Sequence, residues 1–93
     1  MRRTYKIQPR PADLGGGWNL QLYEDGQEAG GGAYPVEEEN LHAAMEWWNG
    51  LPDTQQWHWL MMAASSMPAA ARRAYLLAEA YNDAMGEGES WSA

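Results

Sequence analysis

Two glutamates and a histidine near the middle of the chain have the types and spacing that could bind a metal ion. Glu38, His42 and Glu46 recur every four residues, so on a helix they lie on one face. Carboxylate and imidazole groups bind zinc, but a zinc site needs three or four convergent ligands with supporting contacts. The other histidine, His58, belongs to a different predicted helix. We therefore interpret the three residues as a solvated helix face and expect no bound metal.

Nucleophiles and phosphate-binding loops have no convincing pattern in this sequence. Cysteine is absent, and Ser65 and Ser66 have no histidine at a meaningful spacing. The glycine runs at 15–17 and 30–32 match neither a P-loop nor a dinucleotide fingerprint. The sequence therefore predicts a protein that is not an enzyme and has no cofactor.

The length of 93 residues suits one hydrophobic core, so we expect a single domain over 1–93 with flexible ends at 1–4 and 87–93. The lack of cysteine excludes disulfides and is typical of a reducing compartment. No apolar stretch has the length needed to cross a bilayer, so we expect a cytoplasmic protein with no membrane partner.

The first half of the chain has the alternation typical of β-strands. Residues 5–8 and 18–24 alternate apolar and polar, and Asp25-Gly26 favours a type I′ hairpin turn. Counting outward from this turn predicts the cross-strand pairs Tyr23 with Glu28, Leu22 with Ala29, Leu20 with Gly31, and Trp18 with Ala33. The glycines at 30–32 either make room for Trp18 and Leu20 or mark a place where a helix, another backbone or a partner comes close.

The second half has helical periodicity. Glu37, Glu38 and Glu39 suit the first turn of a helix that buries Leu41, Ala44, Met45 and Trp48. Asp53 and Gln56 resemble a capping box for a second helix, whose inner stripe is Trp57, Leu60, Met61 and Ala64.

A third helix is predicted over 69–85, with Ser66 as its cap, Pro68 in its first turn, and Gly86 and Gly88 at its end. Trp91 lies in the tail beyond it and could fold back onto the core. The predicted class is α+β: a three-stranded antiparallel sheet with a β-hairpin, followed by three helices packed on one face.

Charge is the strongest indication of function. The net charge is -7, and there is no Lys or Arg from Pro11 to Ala71. Such a surface repels free nucleic acid and favours a basic partner, although acidity could instead serve only solubility. The expected partner contacts are the hairpin-tip and helix-start acids Glu24, Asp25, Glu28, Glu37, Glu38 and Glu39.

Aromatic residues are the second indication. The chain has six Trp and five Tyr but no Phe, which is more large rings than one small core can easily hide. Trp47 and Trp59 are expected to face outward because other residues occupy the inner stripes, and exposed Trp residues dominate protein interfaces. The alternative is that these rings fill the space between the helices.

The segments 15–35 (GGGWNLQLYEDGQEAGGGAYP) and 80–91 (AYNDAMGEGESW) resemble parts of small acidic proteins of bacteriophages and mobile elements. The resemblance covers about a third of the chain. In general profile the chain is similar to the anti-CRISPR proteins, which are short, acidic and poor in cysteine. This resemblance implies direct binding to an effector complex, at its nucleic-acid channel or at a docking surface, in the cytoplasm of a bacterial host.

Two functions follow as hypotheses. The first is a phage-encoded anti-CRISPR or anti-defence inhibitor, whose acidic surface blocks a basic surface of a host protein or ribonucleoprotein complex. The second is a small structural or regulatory module that self-associates through a Trp- and Met-rich helical face. The chain is accordingly expected to be a monomer or a homodimer.

Overall fold

The computed structural model describes residues 1–37 and 40–93. It confirms the α+β class, because a three-stranded antiparallel sheet is followed by three helices. A short 3-10 turn, Ala12–Leu14, separates the first two strands. The elements are β1 Arg3–Pro9, β2 Trp18–Glu24, β3 Gln27–Tyr34, α1 Leu41–Asn49, α2 Asp53–Ala63 and α3 Pro68–Ser92.

These elements fall into two compact units. The sheet unit is Met1–Val36 with Glu79–Ala93, and the helical unit is Glu37–Ala78. The sheet unit therefore contains all three strands and the second part of α3, whereas the helical unit contains α1, α2 and the first part of α3. The single domain and the flexible ends stay predictions.

The hairpin turn is as predicted, but its register is not. Asp25 and Gly26 both have positive φ, 52° and 83°, as a type I′ turn requires. Tyr23 pairs with Glu28 as expected, and a bulge follows between the pairs of Leu22 and Tyr23. Ala29 is the extra residue, which shifts every later pair by one. The predicted partners of Trp18, Leu20 and Leu22 are therefore wrong; the observed pairs are Trp18 with Tyr34, Leu20 with Gly32 and Leu22 with Gly30.

Gly31 explains part of the glycine run. A Cβ at this position would overlap the backbone carbonyl oxygen of Leu20 on the neighbouring strand. Its φ of 156° is in a region that residues other than glycine rarely adopt. A close approach of neighbouring backbone, one of the alternatives considered for the run, therefore accounts for Gly31.

The loop between β1 and β2 is held by Arg10. Its guanidinium donates to the carbonyl oxygens of Leu14 and Gly16, at 3.1 Å each. Its backbone N–H donates to the carbonyl of Gly17 at 3.0 Å. These bonds close the loop because they connect both ends of the glycine segment to the end of β1.

The third helix is longer than predicted. It continues through Gly86 and Gly88 to Ser92, so the expected end at Gly86 is wrong. Gly88 is buried, and a Cβ there would overlap the ring of Tyr5 on β1. Glycine is needed here for the close approach of helix and strand, and contacts of this kind outweigh the low helix propensity of glycine.

The apolar face of the sheet packs on the second part of α3. Leu20 and Ala84 are buried, and the rings of Trp18 and Tyr81 meet edge to face with centroids 5.0 Å apart. The indole N–H of Trp91 donates to the carbonyl of Tyr23 at 3.0 Å. Trp91 thus folds back onto the sheet, as the sequence suggested, but does so from within the helix.

The helix ends of the helical unit differ in detail from the predicted ones. Asn40 caps α1 by accepting from the N–H of Ala43 at 3.1 Å. Gln56 does not form a capping box with Asp53; its amide instead donates to the carbonyl of Trp48 at 2.9 Å. The hydroxyl that accepts before α3 belongs to Ser65, which accepts from the N–H of Met67, and not to Ser66.

No helix in the described part of the chain is long and apolar enough to cross a membrane.

Candidate functional site

The hairpin tip holds three of the predicted contact residues. They differ in the exposure of their side chains and in the hydrogen bonds that their carboxylates accept. Asp25 accepts a hydrogen bond from the N–H of Arg2 at 2.8 Å, and the Asp25 N–H donates to the Arg2 carbonyl at 2.7 Å. Glu24 is partly buried and lies opposite Arg3 in the β1–β2 register. Glu28 is exposed. At the tip, Glu28 is therefore the carboxylate best placed to contact a partner.

Of the helix-start acids the structure describes Glu37, and it does not lie in the first turn of α1, because that helix begins at Leu41. Glu37 precedes it, and its carboxylate forms an ion pair with the guanidinium of Arg72 on α3. The Arg72 side chain is 14% exposed, so this pair is partly shielded from solvent. Glu37 thus has a structural partner within the helical unit. Glu38 and Glu39 lie outside the described residues, so their part in binding stays a prediction.

Trp47 and Trp59 are partly buried and do not face outward, which corrects the expected orientation. Both rings pack on Tyr75 of α3, with centroid distances of 5.2 Å for Trp47 and 5.3 Å for Trp59. Trp48 packs on Trp47 at 6.4 Å. These rings fill the space between helices, the alternative that the sequence left open, and their role as partner contacts stays a prediction.

The large apolar residues that are exposed on α2 include two that were predicted for its inner stripe. Trp57 is 67% exposed, Met61 64% and Met62 62%, although Trp57 and Met61 were predicted for the inner stripe. We call these three residues the apolar face of α2. On α1, Leu41 and Met45 are also exposed instead of buried, while Ala44 is buried. The burial stripes were misassigned because both helices are apolar on more than one side.

The positive groups of the chain are largely engaged in contacts within it. In the sheet unit, the Arg3 guanidinium lies 4.5 Å from the ring centroid of Trp91, and the Lys6 ammonium lies 5.6 Å from that of Tyr23. Arg10 donates to two carbonyls of its loop, and in the helical unit Arg72 pairs with Glu37. Arg73 is exposed. Arg2, Arg3 and Lys6 are exposed as well, so the contacts of Arg3 and Lys6 orient their side chains but leave their charge at the surface.

The acidic groups are mostly turned to solvent. Of the Asp and Glu residues that the structure describes, all are exposed except the partly buried Glu24. Glu79, Asp83 and Glu87 recur every four residues on α3 and form a row, which we call the acidic row. Like charges at this spacing cost helix stability by a few tenths of a kcal/mol per pair. Its four-residue spacing is visible in the sequence, although the row lies outside the span without Lys or Arg that indicated the other acidic contacts.

The candidate metal ligands do not form a site among the described residues. The imidazole of His42 lies 3.2 Å from the carboxylate of Glu46, and both side chains are highly exposed. Glu38, the third residue of the proposed set, is outside the described residues. Within ranges 1–37 and 40–93 no group of three or more His, Cys, Asp or Glu could hold a metal ion. The contact of His42 with Glu46 is that of an exposed pair one helical turn apart.

The arrangement thus offers an acidic exterior in both units and an apolar face on α2. Exposed charge and grouped exposed apolar side chains are features through which proteins contact other macromolecules. Comparisons of the chain with protein-family models, with curated proteins and with solved structures give no match.

Proposed function

We propose that this chain is a non-enzymatic protein-binding inhibitor, which uses its acidic surface to block a basic nucleic-acid-binding or docking surface of a host complex. One observation carries the proposal. Ten of the eleven Asp and Glu residues that the structure describes are exposed, whereas the exposed cations are four: Arg2, Arg3, Lys6 and Arg73. The exterior of the described residues is therefore predominantly negative, in keeping with the net charge of -7.

A predominantly negative exterior has two consequences for binding. It attracts basic protein surfaces over distances of about 10 Å at 0.1 M salt and accelerates their encounter with the chain. It also repels nucleic acid. The chain and nucleic acid should therefore compete for a basic channel, because the two cannot bind it at the same time. The exposed acidic row on α3 places carboxylates about one helical turn apart, which suits repeated basic groups on a partner.

The phage-encoded, anti-CRISPR form of this proposal draws on the resemblance of segments 15–35 and 80–91 described above. In that form the partner is a ribonucleoprotein effector, the binding surface is its guide or target channel, and the site of action is the cytoplasm of a bacterial host. The exposed acids of both units are consistent with a partner surface lined by Lys and Arg.

A second candidate function is self-association through the helical Trp- and Met-rich face. The observation in its favour is the exposure of Trp57, Met61 and Met62 on α2. The charge of -7 on each copy works against it, because two copies repel one another at low salt.

Expression of the chain in bacteria with an active CRISPR system tests the inhibitor proposal. Plaque counts of a targeted phage should return to those on a matched strain without the system. A variant with the acidic row neutralised should protect the phage less. Its substitutions are Glu79→Gln, Asp83→Asn and Glu87→Gln. Full protection by this variant, or no protection by the unmodified chain against any CRISPR type tested, would contradict the proposal in its anti-CRISPR form.

A further inference from the structure

The last two turns of α3 have a sequence that does not favour a helix. Residues 86–92 include Gly86 and Gly88, and glycine lowers the stability of a helix interior more than any residue except proline. Glu87 and Glu89 lie toward the C-terminal end of the helix, where the macrodipole disfavours negative charge. No Lys or Arg occurs among these residues to offset that charge. The helical form of this segment therefore depends on tertiary contacts.

The contacts that hold the segment on the sheet lie at Gly88 and Trp91. Gly88 is buried and passes so close to the ring of Tyr5 that it has no room for a Cβ. The indole N–H of Trp91 donates to the carbonyl of Tyr23 at 3.0 Å, and the Arg3 guanidinium lies 4.5 Å from the centroid of the indole ring. Trp91 is only partly buried and Arg3 is exposed, so water weakens both interactions. Trp91 is thus the main anchor of the segment.

The part of α3 that precedes this segment is held in a different way. Ala84 is fully buried, and the ring of Tyr81 meets the ring of Trp18 edge to face. Leu20, on the strand in the middle of the sheet, is buried as well. These contacts do not involve residues 86–92, so the core around them does not require the segment.

Gly86 lies at the boundary between the two parts of the helix and is suited to act as a hinge. It is exposed, and outside its own helix no described atom lies within 4 Å of a Cβ built there. Its backbone can therefore change conformation without displacing a neighbour, and glycine has more conformations open to it than any other residue. Proteins open locally in contiguous units that have few buried contacts. The geometry favours opening of the whole segment about Gly86.

We propose that residues 86–92 form a strap, which hinges at Gly86 and opens as one unit while the rest of the sheet unit stays folded. The closed strap covers the ring of Tyr5 and completes the acidic row with Glu87. The open strap takes Glu87 out of the row and uncovers Tyr5 and the side chain of Arg3. The strap is therefore a conformational device that changes the acidic surface of α3. The inference goes beyond the proposed function and stands without it.

Amide hydrogen exchange of the full chain, measured by NMR, tests the strap. The amides of residues 88–92 should share one protection factor, lower than that of residues 80–84. Ordinary fraying would instead give protection that falls residue by residue toward the end of the helix. Trp91→Ala should reduce the protection of residues 88–92 by about tenfold or more and leave that of residues 80–84 within about twofold. Trp91→Phe, which keeps a ring, should give a smaller loss at the same amides.

Matched variants should close the strap more firmly. Gly86→Ala adds helix propensity at the hinge without a new contact on the sheet, and it should raise the protection of residues 88–92 about fivefold. Glu87→Gln with Glu89→Gln removes the charge that the helix macrodipole disfavours and should raise this protection about threefold. Glu28→Gln, at an exposed carboxylate of the hairpin, is the control and should leave it unchanged.

Three results would overturn the inference. The first is protection that falls gradually from residue 84 to residue 92 in the unmodified chain, which is fraying without a strap. The second is a loss in Trp91→Ala that is equal at residues 80–84 and 88–92, which would mean that this segment opens only when the whole sheet unit unfolds. The third is unchanged protection in Gly86→Ala, which would exclude Gly86 as the hinge.

Discussion

The indole N–H of Trp91 donates to the backbone carbonyl of Tyr23 at 3.0 Å, so the last turn of α3 is bonded to strand β2. The same ring lies under the guanidinium of Arg3, whose Cζ is 4.5 Å from the ring centroid. One side chain near the end of the sequence therefore contacts both β1 and β2. This relationship explains how a helix segment with two glycines is held in place.

Replacement of Trp91 should destabilise the sheet unit. Trp91→Ala removes the ring, its hydrogen bond and its contact with Arg3, and we expect a loss of about 3 kcal/mol in the free energy of unfolding. Trp91→Phe keeps an apolar ring and should cost about 1 kcal/mol. Urea denaturation followed by circular dichroism measures these values. The control is Trp57→Ala at an exposed position; if it destabilises the protein as much as Trp91→Ala, the structural role of Trp91 is wrong.

The two glycines of α3 should respond in opposite directions to alanine. Gly88→Ala places a methyl group into the ring of Tyr5 and should destabilise the protein by about 2 kcal/mol. Gly86 has nothing within 4 Å of a Cβ, so Gly86→Ala should stabilise the helix by about 1 kcal/mol. Thermal melting of the two variants provides the comparison. Equal effects at the two positions would mean that α3 does not pack on β1 at Gly88.

Gly31 and Gly32 form a second matched pair. Gly31→Ala should destabilise the hairpin by about 2 kcal/mol or more, because its φ of 156° and the nearby Leu20 carbonyl both exclude a side chain. Gly32→Ala should change stability by less than about 1 kcal/mol, since the nearest atom, Cε2 of Tyr34, is 3.8 Å away. Chemical denaturation measures the difference. A larger loss of stability for Gly32→Ala than for Gly31→Ala would contradict the register described for β2 and β3.

The hairpin shows how far the sequence determines local structure. Asp25-Gly26 encodes the turn and the first cross-strand pair through the positive φ that both residues accept. The bulge at Ala29 has no comparable sequence signal, because it depends on how the edge strand meets β2 beyond the turn. Each later pair was therefore displaced by one residue. The end of α3 was missed for a related reason: the tertiary contact of Gly88 with Tyr5 outweighs helix propensity.

Arg72 and Glu37 should show energetic coupling. We expect a double-mutant cycle with Arg72→Met and Glu37→Gln to give a coupling energy of about 1 kcal/mol, because the arginine is mostly buried while the glutamate is exposed. The cycle is measured by urea denaturation of the four proteins. A parallel cycle for the exposed pair His42 and Glu46 should give a smaller coupling. Equal coupling in the two cycles would contradict the shielding of Arg72.

The acidic character of the exterior could be predicted from the sequence, whereas the exposure of Trp57 and Met61 on α2 could not. Composition alone indicates an acidic exterior, since carboxylates without cations nearby stay at the surface. The helical stripes could not be assigned, because α2 has large apolar residues on every side and only packing shows which ones are covered. Trp59 packs against Tyr75 from α3, a contact that no local pattern in α2 encodes. The exposure of Trp57 likewise depends on packing with other helices and is not encoded in the pattern of α2.

Competition with nucleic acid on the isolated partner complex tests the central claim most directly. The chain should displace labelled nucleic acid from the complex, and its affinity should fall as salt rises from 0.1 M to 0.5 M because the Debye length shortens to a few Å. Neutralisation of Glu79, Asp83 and Glu87 with Glu28 should weaken displacement by about tenfold or more, with melting temperature unchanged or raised. Undiminished displacement by this variant, or binding that leaves the nucleic acid in place, would contradict the account.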